Sequence, residues 1–354
     1  MFSEYCSLSF LETEKIMEYY GNCLSQTEKK LYLKMTDALC RRLSSVRIEQ
    51  NYDEKSFLNC IHAIQYDYPE LFHVDFDHFR WIDYGDNVEY FLQYLYDEKD
   101  TLRKQKLIRE RVCRIIEDLN KKGISSIYQR CGYIHSYFVK NCTYNEEAVE
   151  NPDKEKTAYT IEGPLLEGTG VCLGIALAYR MVCRKCRIDA IVVVGSSFRP
   201  GMVTYTGHAW DMIRAGKCAV HVDVTWDMCL TADGEPVRYD YFFLSDMDML
   251  RDHQYIGYPV CREMRINYFE RTGTQFEKLE EMDSFIKRVI CGDKKRGRPG
   301  TYFFQFKISD RKKTKGEVQE YVKKIIGKYT NRGWQGKVTL NGSQSVFSYK
   351  IEIK

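Results

Sequence analysis

An α+β fold is predicted, and three observations predict it. From Val171 to Val182 nearly every residue is apolar, too dense for a one-faced surface helix, which points to a helix covered on most sides. Ile188–Gly195 is a short apolar run, the pattern of a buried strand. Gly207–Arg214 and Lys217–Val224 are short apolar/polar runs that meet at Ala215-Gly216, a hairpin signal.

At 354 residues the chain has room for two or three domains, or for one large core with appendages. The pattern divides it into a mainly helical N-terminal region with a hairpin (1–97), the core (98–261) and a small C-terminal α/β unit (262–354). The net charge of +3 is small for this length and argues against a general nucleic-acid or membrane surface. No apolar run approaches the length needed to cross a bilayer, the best being Ala190–Val194. The start, Met1-Phe2-Ser3-Glu4-Tyr5-Cys6, lacks the basic and apolar segments of a signal peptide. A cytoplasmic location is therefore expected, and with it free thiols for the cysteines, which are spread along the whole chain.

Residues 1–70 read as helices. Ser25 and Glu28 form a capping-box start, followed by Leu31, Met35, Ala38, Leu39 and Leu43 at helical spacing. A second helix fits Ser56–Tyr66 and ends before Pro69. His62, His73 and His78 read as structural or surface residues. His78–Tyr84 and Val88–Tyr96 predict strands around Gly85-Asp86-Asn87, a hairpin turn. Asp97–Lys121 is a charged helix whose apolar positions are Leu107, Val112, Ile115, Ile116 and Leu119, ended by Lys122-Gly123. Ile124–Val139 is the next helix, with His135 read as a plain helix residue in preference to one lining the cleft, and Tyr144–Lys156 is a polar, acidic loop. Beyond the core hairpin, Tyr239–Leu244 is an aromatic cover. The C-terminal unit reads as a helix at Phe276–Ile290, a strand at Thr301–Ile308, a helix at Lys315–Tyr329, and a hairpin of Lys337–Asn341 and Ser345–Ile353 with Gly342 in its turn.

Cys172 falls in the first turn of the buried helix, behind an N-cap at Thr169 or Gly170. Unpaired backbone N–H groups and the positive end of the helix dipole favour an anion there. They lower the pKa of a thiol and make the thiolate available as a nucleophile. Gly170 and Gly174 flank the cysteine and leave room for a substrate backbone. The plain alternative is a buried cysteine that behaves as a small hydrophobe. If the hairpin loop has two or four residues, His208 sits directly opposite Asp223, with Cβ atoms about 4.5–5.5 Å apart. The carboxylate then accepts from one ring nitrogen and leaves the other to take a thiol proton. A three-residue loop slips the register and puts Asp223 on the wrong face. His221 shares the face of Asp223 and is either a rival base or a half-buried strand histidine.

Three blocks now stand in order: Gly170-Val171-Cys172-Leu173-Gly174-Ile175-Ala176, His208-Ala209-Trp210-Asp211 and Val222-Asp223-Val224-Thr225-Trp226-Asp227. Together they resemble the transglutaminase-like superfamily of papain-type thiol enzymes, in its bacterial-type form. The resemblance implies a papain/transglutaminase-like core, a helix bearing the cysteine packed on an antiparallel sheet bearing the histidine and aspartate. By resemblance Cys172 is the nucleophile, His208 the general base and Asp223 the orienting carboxylate. It also implies a peptide or protein substrate whose acyl group passes to the cysteine as a thioester, which water or an amine resolves, with no cofactor. Asp211 stands where Asn is usual, and Leu166 where a polar oxyanion donor is kept. The donors on offer are the backbone N–H of Cys172 and the indole N–H of Trp210.

Two readings of other classes stand beside this one. The same fold can serve as a peptide-binding module without turnover. Alternatively, Lys294-Lys295-Arg296-Gly297-Arg298-Pro299 has an Arg-Gly-Arg-Pro core that resembles an AT-hook, an arm for the minor groove of DNA. A solvated connector has the same composition. Cys183-Arg184-Lys185-Cys186 is a lone CxxC at a helix end. A zinc site needs two more ligands and no second CxxC or HxxxH exists, and a redox pair should open a helix, so no metal is expected.

Overall fold

The computed structural model describes residues 18–198, 204–215, 218–263, 265–294, 296–310 and 313–354. Expectations that fall on residues 1–17, on Gly216 and on Lys295 lie outside the described residues. The architecture is α+β, in two compact units. The first takes Met1–Gly195, Gly207–Lys217 and Asp223–Met228; the second takes Ser196–Thr206, Cys218–Val222 and Cys229–Lys354.

In the first unit the hydroxyl of Ser25 accepts from the Glu28 backbone N–H, and the Glu28 carboxylate accepts from the Ser25 N–H. This reciprocal pair starts the helix Gln26–Cys40. Its buried Leu31, Met35, Ala38 and Leu39 share one apolar cluster with Phe57, Ile61 and Ile64 of the helix Glu54–Asp67. Val88–Phe91 pairs antiparallel with Arg80–Asp83 on one side and with Ser45–Ile48 on the other. The hairpin lies where the sequence pattern puts it. Ser45–Ile48, inside a stretch that reads as helical, is a strand instead. Its partner offers an open edge of backbone groups, and tertiary pairing outweighs local propensity.

Asp97 caps the helix Glu98–Lys121 by accepting from the Asp100 N–H. The buried stripe is Ile108, Val112, Ile115 and Leu119, and Leu107, predicted to be apolar contact, is 40% exposed. Ile108 stands four residues before Val112, on the same face, whereas Leu107 is turned away by a further 100° or so. The next helix, Ile127–Asn141, starts where Ser126 accepts from the Gln129 N–H. The segment predicted as a polar loop holds a short helix, Glu146–Glu150, capped by Asn145.

The helix Cys172–Lys185 is buried without a break from Gly174 to Cys183. One of those buried residues is Arg180, 1% exposed. Its Nε donates to the Ala190 carbonyl at 3.0 Å, and its Nη1 donates to the Tyr66 and Asp67 carbonyls at 2.6 and 3.0 Å. The wholly buried Asp67 carboxylate lies 3.6 Å from Nη2 and also accepts from the Gly21 N–H and the Tyr32 hydroxyl. A buried charge is tolerable only with such a full set of partners. These bonds tie the cysteine-bearing helix to the N-terminal helices and to the strand Asp189–Ser197, whose Ala190–Val193 are buried.

In the second unit Cys218–Val222 pairs antiparallel with Phe242–Leu244. A four-stranded sheet follows, in the order Gln275–Phe276, Gly300–Ile308, Val346–Ile353, Trp334–Asn341. The first pairing is parallel and the other two antiparallel. Phe304, Phe306, Tyr349 and Ile351 of the sheet share an apolar cluster with Ile286 and Ile290 of Met282–Cys291 and Val322 and Ile326 of Lys315–Tyr329. The helix predicted from Phe276 begins only at Met282, because Phe276 is taken up by pairing with Ile308. None of the described cysteines is in a disulfide, Cys183 and Cys186 included. Among the described residues no helix is long and apolar enough to cross a membrane.

Candidate active site

Cys172 is the first residue of its helix. Val171 is the N-cap, in an extended conformation and without a side-chain hydrogen bond. Thr169 and Gly170, the predicted caps, belong instead to a two-residue strand that pairs parallel with Thr143–Tyr144. The dipole's positive end is therefore not answered by a capping oxygen, and the sulfur stands beside it.

The two flanking glycines serve the fold. A Cβ on Gly174 would come within 2.2 Å of the Ala158 carbonyl oxygen, and one on Gly170 within 2.8 Å of the Pro164 ring. The room that the sequence reading reserves for a substrate backbone is filled at both positions by the chain itself.

His208 lies on the strand Thr206–Ala215 and is 6% exposed. Its Nε2 is 2.7 Å from Oδ2 of Asp223. The strand predicted to reach Val224 ends at Val222, so Asp223 falls just beyond it and immediately before the helix Val224–Leu230. There its Oδ1 accepts from the Trp226 N–H at 2.9 Å, as an N-capping carboxylate does. One oxygen is fixed by the helix it caps, and the other is thereby aimed at the imidazole.

With Nε2 on Asp223, Nδ1 is the ring nitrogen left for sulfur, and His208 and Cys172 hydrogen-bond to each other. The Ala209 backbone N–H donates to the same sulfur. Burial works to raise the thiol pKa, but the His208 hydrogen bond and charge, with the Ala209 N–H, outweigh it and hold the thiol below its ordinary value. Burial works in the opposite sense on His208; the charge and hydrogen bond of Asp223, then those of Cys172, overcome it and raise the imidazole to about 10. A lowered thiol and a raised imidazole in contact both favour passage of the thiol proton to the ring.

Residues 117–226 match the model of the Transglutaminase-like superfamily. This stretch is a transglutaminase-like core. Two solved structures are similar to the chain. One is a TGase, at 12% identity over 55% of this chain and 53% of that one, with a TM-score of 0.30. The other is a candidate cysteine protease from Cytophaga hutchinsonii, at 14% identity over 42% of this chain and 61% of that one, with a TM-score of 0.28. The chain thus spans less than two thirds of either. No curated protein matches.

Within the transglutaminase-like core, other side chains surround the imidazole. Trp210 is 1% exposed and stacks on the His208 ring at 5.7 Å, with Trp226 at 6.2 Å. Trp210 therefore braces the ring. Next to it in sequence, Asp211 is 1% exposed and neither of its carboxylate oxygens meets a hydrogen-bond donor. Burial pushes its pKa well above the carboxylate range, with Arg180 opposing and Asp223 adding to the rise. His135, predicted as a plain helix residue, is wholly buried, with Nε2 3.0 Å from the Asp227 carboxylate. Burial lowers its pKa to about 3 against the pull of Asp223, so it stays neutral.

Cys172, His208 and Asp223 are brought together, with Trp210 against the imidazole and Gly170 and Gly174 packed behind the cysteine. His221 does not join them, since its Nε2 is paired with Asp246. Sequence reasoning missed Ala209 as a donor to sulfur, Arg180 as the helix anchor and the His135–Asp227 pair. Only Asp227 carried a signal, four residues beyond Asp223 on a helix that Asp223 itself begins.

Proposed function

We propose that the transglutaminase-like core is a thiol hydrolase or acyltransferase acting on peptide or protein substrates. The observation that carries this reading is the hydrogen-bonded line from the Cys172 sulfur through His208 to Asp223, with the thiol pKa lowered and the imidazole raised.

In the first half-reaction the Cys172 thiolate attacks the acyl carbon and a C–S bond forms. The C–N bond breaks, and the His208 imidazolium gives its proton to the leaving amine. In the second, water or an amine attacks the thioester and passes a proton to His208. The C–S bond breaks and the thiolate–imidazolium pair returns. Asp223 remains ionised throughout and holds the ring in place through Nε2.

A second reading, a peptide-binding module without turnover, is favoured by Leu166, an apolar side chain where papain-type enzymes keep an oxyanion donor. One experiment separates the two. The full chain is incubated with a library of glutamine-containing and ester-capped peptides and followed by intact mass. An acyl adduct that maps to Cys172 and is absent from Cys172→Ala supports turnover. Rapid alkylation of Cys172 with no peptide adduct supports the binding module. Alkylation of Cys172 no faster than that of the exposed Cys229 would defeat the first reading.

A further inference from the structure

The second unit holds another grouping of nucleophilic and titratable side chains, on elements that no local motif connects. His221 lies at the end of the strand Cys218–Val222, where the pairing with Phe242–Leu244 shifts register between His221 and Val222. Such an irregularity re-aims a side chain, and His221 is wholly buried. Asp246 opens the short helix Asp246–Met249, capped by Ser245. Cys261 is 1% exposed and comes from the segment that follows Tyr255.

Asp246 and Cys261 are clamped together. The Asp246 N–H donates to the Cys261 carbonyl, and the Cys261 N–H donates to Asp246 Oδ2, both at 2.8 Å. With Oδ2 so fixed, Oδ1 faces His221 Nε2 at 3.0 Å and accepts from the Tyr255 hydroxyl. That hydroxyl is also 2.9 Å from His221 Nε2. The Cys261 thiol lies 3.9 Å from the Pro259 carbonyl and also hydrogen-bonds to the Asp246 carboxylate. One imidazole nitrogen, one carboxylate oxygen and the sulfur all lie within 4.8 Å of one another.

We infer that His221, Asp246 and Cys261, with the Tyr255 hydroxyl beside them, form a binding site for a divalent transition-metal cation of the zinc type. Zinc takes nitrogen, sulfur and carboxylate ligands at about 2.0–2.3 Å, so tetrahedral donors stand about 3.3–3.8 Å apart. The observed spread needs only a small contraction on the sulfur side and a small opening between the imidazole and carboxylate. The donor set is borderline-soft, which selects against calcium and magnesium. On binding, the S–H bond of Cys261 breaks, an S–metal bond forms and the proton leaves to solvent. His221 ligates through Nε2, so the proton that Nε2 donates to Asp246 Oδ1 leaves it for solvent while Nδ1 takes one up, and the ring stays neutral in its other tautomer. A dication against one thiolate and one carboxylate leaves the buried site neutral, the state that burial favours. Asp246, with 23% of its side chain exposed, gives the cluster its opening to solvent.

The expectation of no metal rests on the CxxC of Cys183 and Cys186, which this site does not use. His221, Asp246 and Cys261 are far apart in sequence, and no ligand spacing announces them.

The test is titration of Co²⁺ into the full chain carrying Cys172→Ala, so that the other thiol–imidazole site cannot ligate through sulfur. One equivalent should bind with tetrahedral visible bands and a thiolate-to-cobalt charge-transfer band, both lost on displacement by Zn²⁺. The charge-transfer band should vanish when Cys261→Ala is added and persist when the exposed Cys229 is replaced instead. Asp246→Asn and His221→Gln should each lose the bound cobalt, so the assignment does not depend on one variant folding. Absence of the band in the Cys172→Ala parent, or its survival in Cys261→Ala, overturns the site.

Discussion

Each unit brings a cysteine, a histidine and an aspartate together, and the two thiols are pushed in opposite directions. The Cys172 sulfur meets an imidazole, a backbone N–H and a helix N-terminus, and its pKa falls despite burial. The Cys261 sulfur is buried beside a carboxylate, and burial followed by the Asp246 charge raises its pKa far above the ordinary thiol range. Composition is nearly the same at both places. The order of contact differs: imidazole between sulfur and carboxylate in the first, carboxylate next to both imidazole and sulfur in the second. A thiol in the first order is drawn toward its anion, and one in the second is held in its protonated form.

The largest effect is expected at His208. His208→Ala should slow iodoacetamide alkylation of Cys172 by about 10²–10⁴-fold, and Cys172→Ala should abolish acyl-adduct formation. Asp223→Asn should cost about 10²-fold or more, since the wrong tautomer is then favoured. Its folding stability should change little, because an Asn side-chain oxygen can still accept from the Trp226 N–H and caps a helix about as well as Asp. An Asn variant with unchanged reactivity would mean that Asp223 only caps its helix.

Gly174→Ala should destabilise the first unit by about 3 kcal/mol in denaturant unfolding, because the added carbon would meet the Ala158 carbonyl at 2.2 Å. The effect at Asp211 is a dependence on pH. Its folded pKa is raised, so its stabilising contribution is complete below the unfolded value and is lost as pH rises through the folded one. Asp211→Asn removes that loss and should gain on the parent by about 1.4 kcal/mol per pH unit across that window, with no gain below about pH 4. Equal unfolding curves at pH 4 and pH 7 would mean that Asp211 titrates normally.

The two thiols should also part with pH. Cys172 alkylation should persist to lower pH than that of an ordinary thiol, while the Cys261 thiolate fraction should rise about tenfold per pH unit. Amide acylation should fall again as pH passes about 10, where His208 loses the proton it gives to the leaving group.

The first site was largely legible because its three residues sit in dense local patterns. A run of apolar residues marks the helix of Cys172, and a hairpin signal relates His208 to Asp223. What the pattern could not say is that Asp223 leaves the strand to cap a helix, since strand end and helix start differ there by one residue. Nor could it assign the glycines, because Gly174 is small on account of Ala158, a neighbour only in space. Ser45–Ile48 and Leu107 show the same limit at the level of the fold, where the partner edge or the helix face decides. The cluster around His221 was illegible for the plainest reason, that long-range proximity leaves no spacing to read.

The guanidinium of Arg180 sets a lower bound on what can be excised from this protein. Its acceptors at Tyr66 and Asp67 lie well upstream of residue 117, where the family likeness begins. A fragment trimmed to that likeness would strand a buried cation inside its principal helix. The evolutionary module and the smallest piece able to stand alone are thus different objects, and the second is the larger.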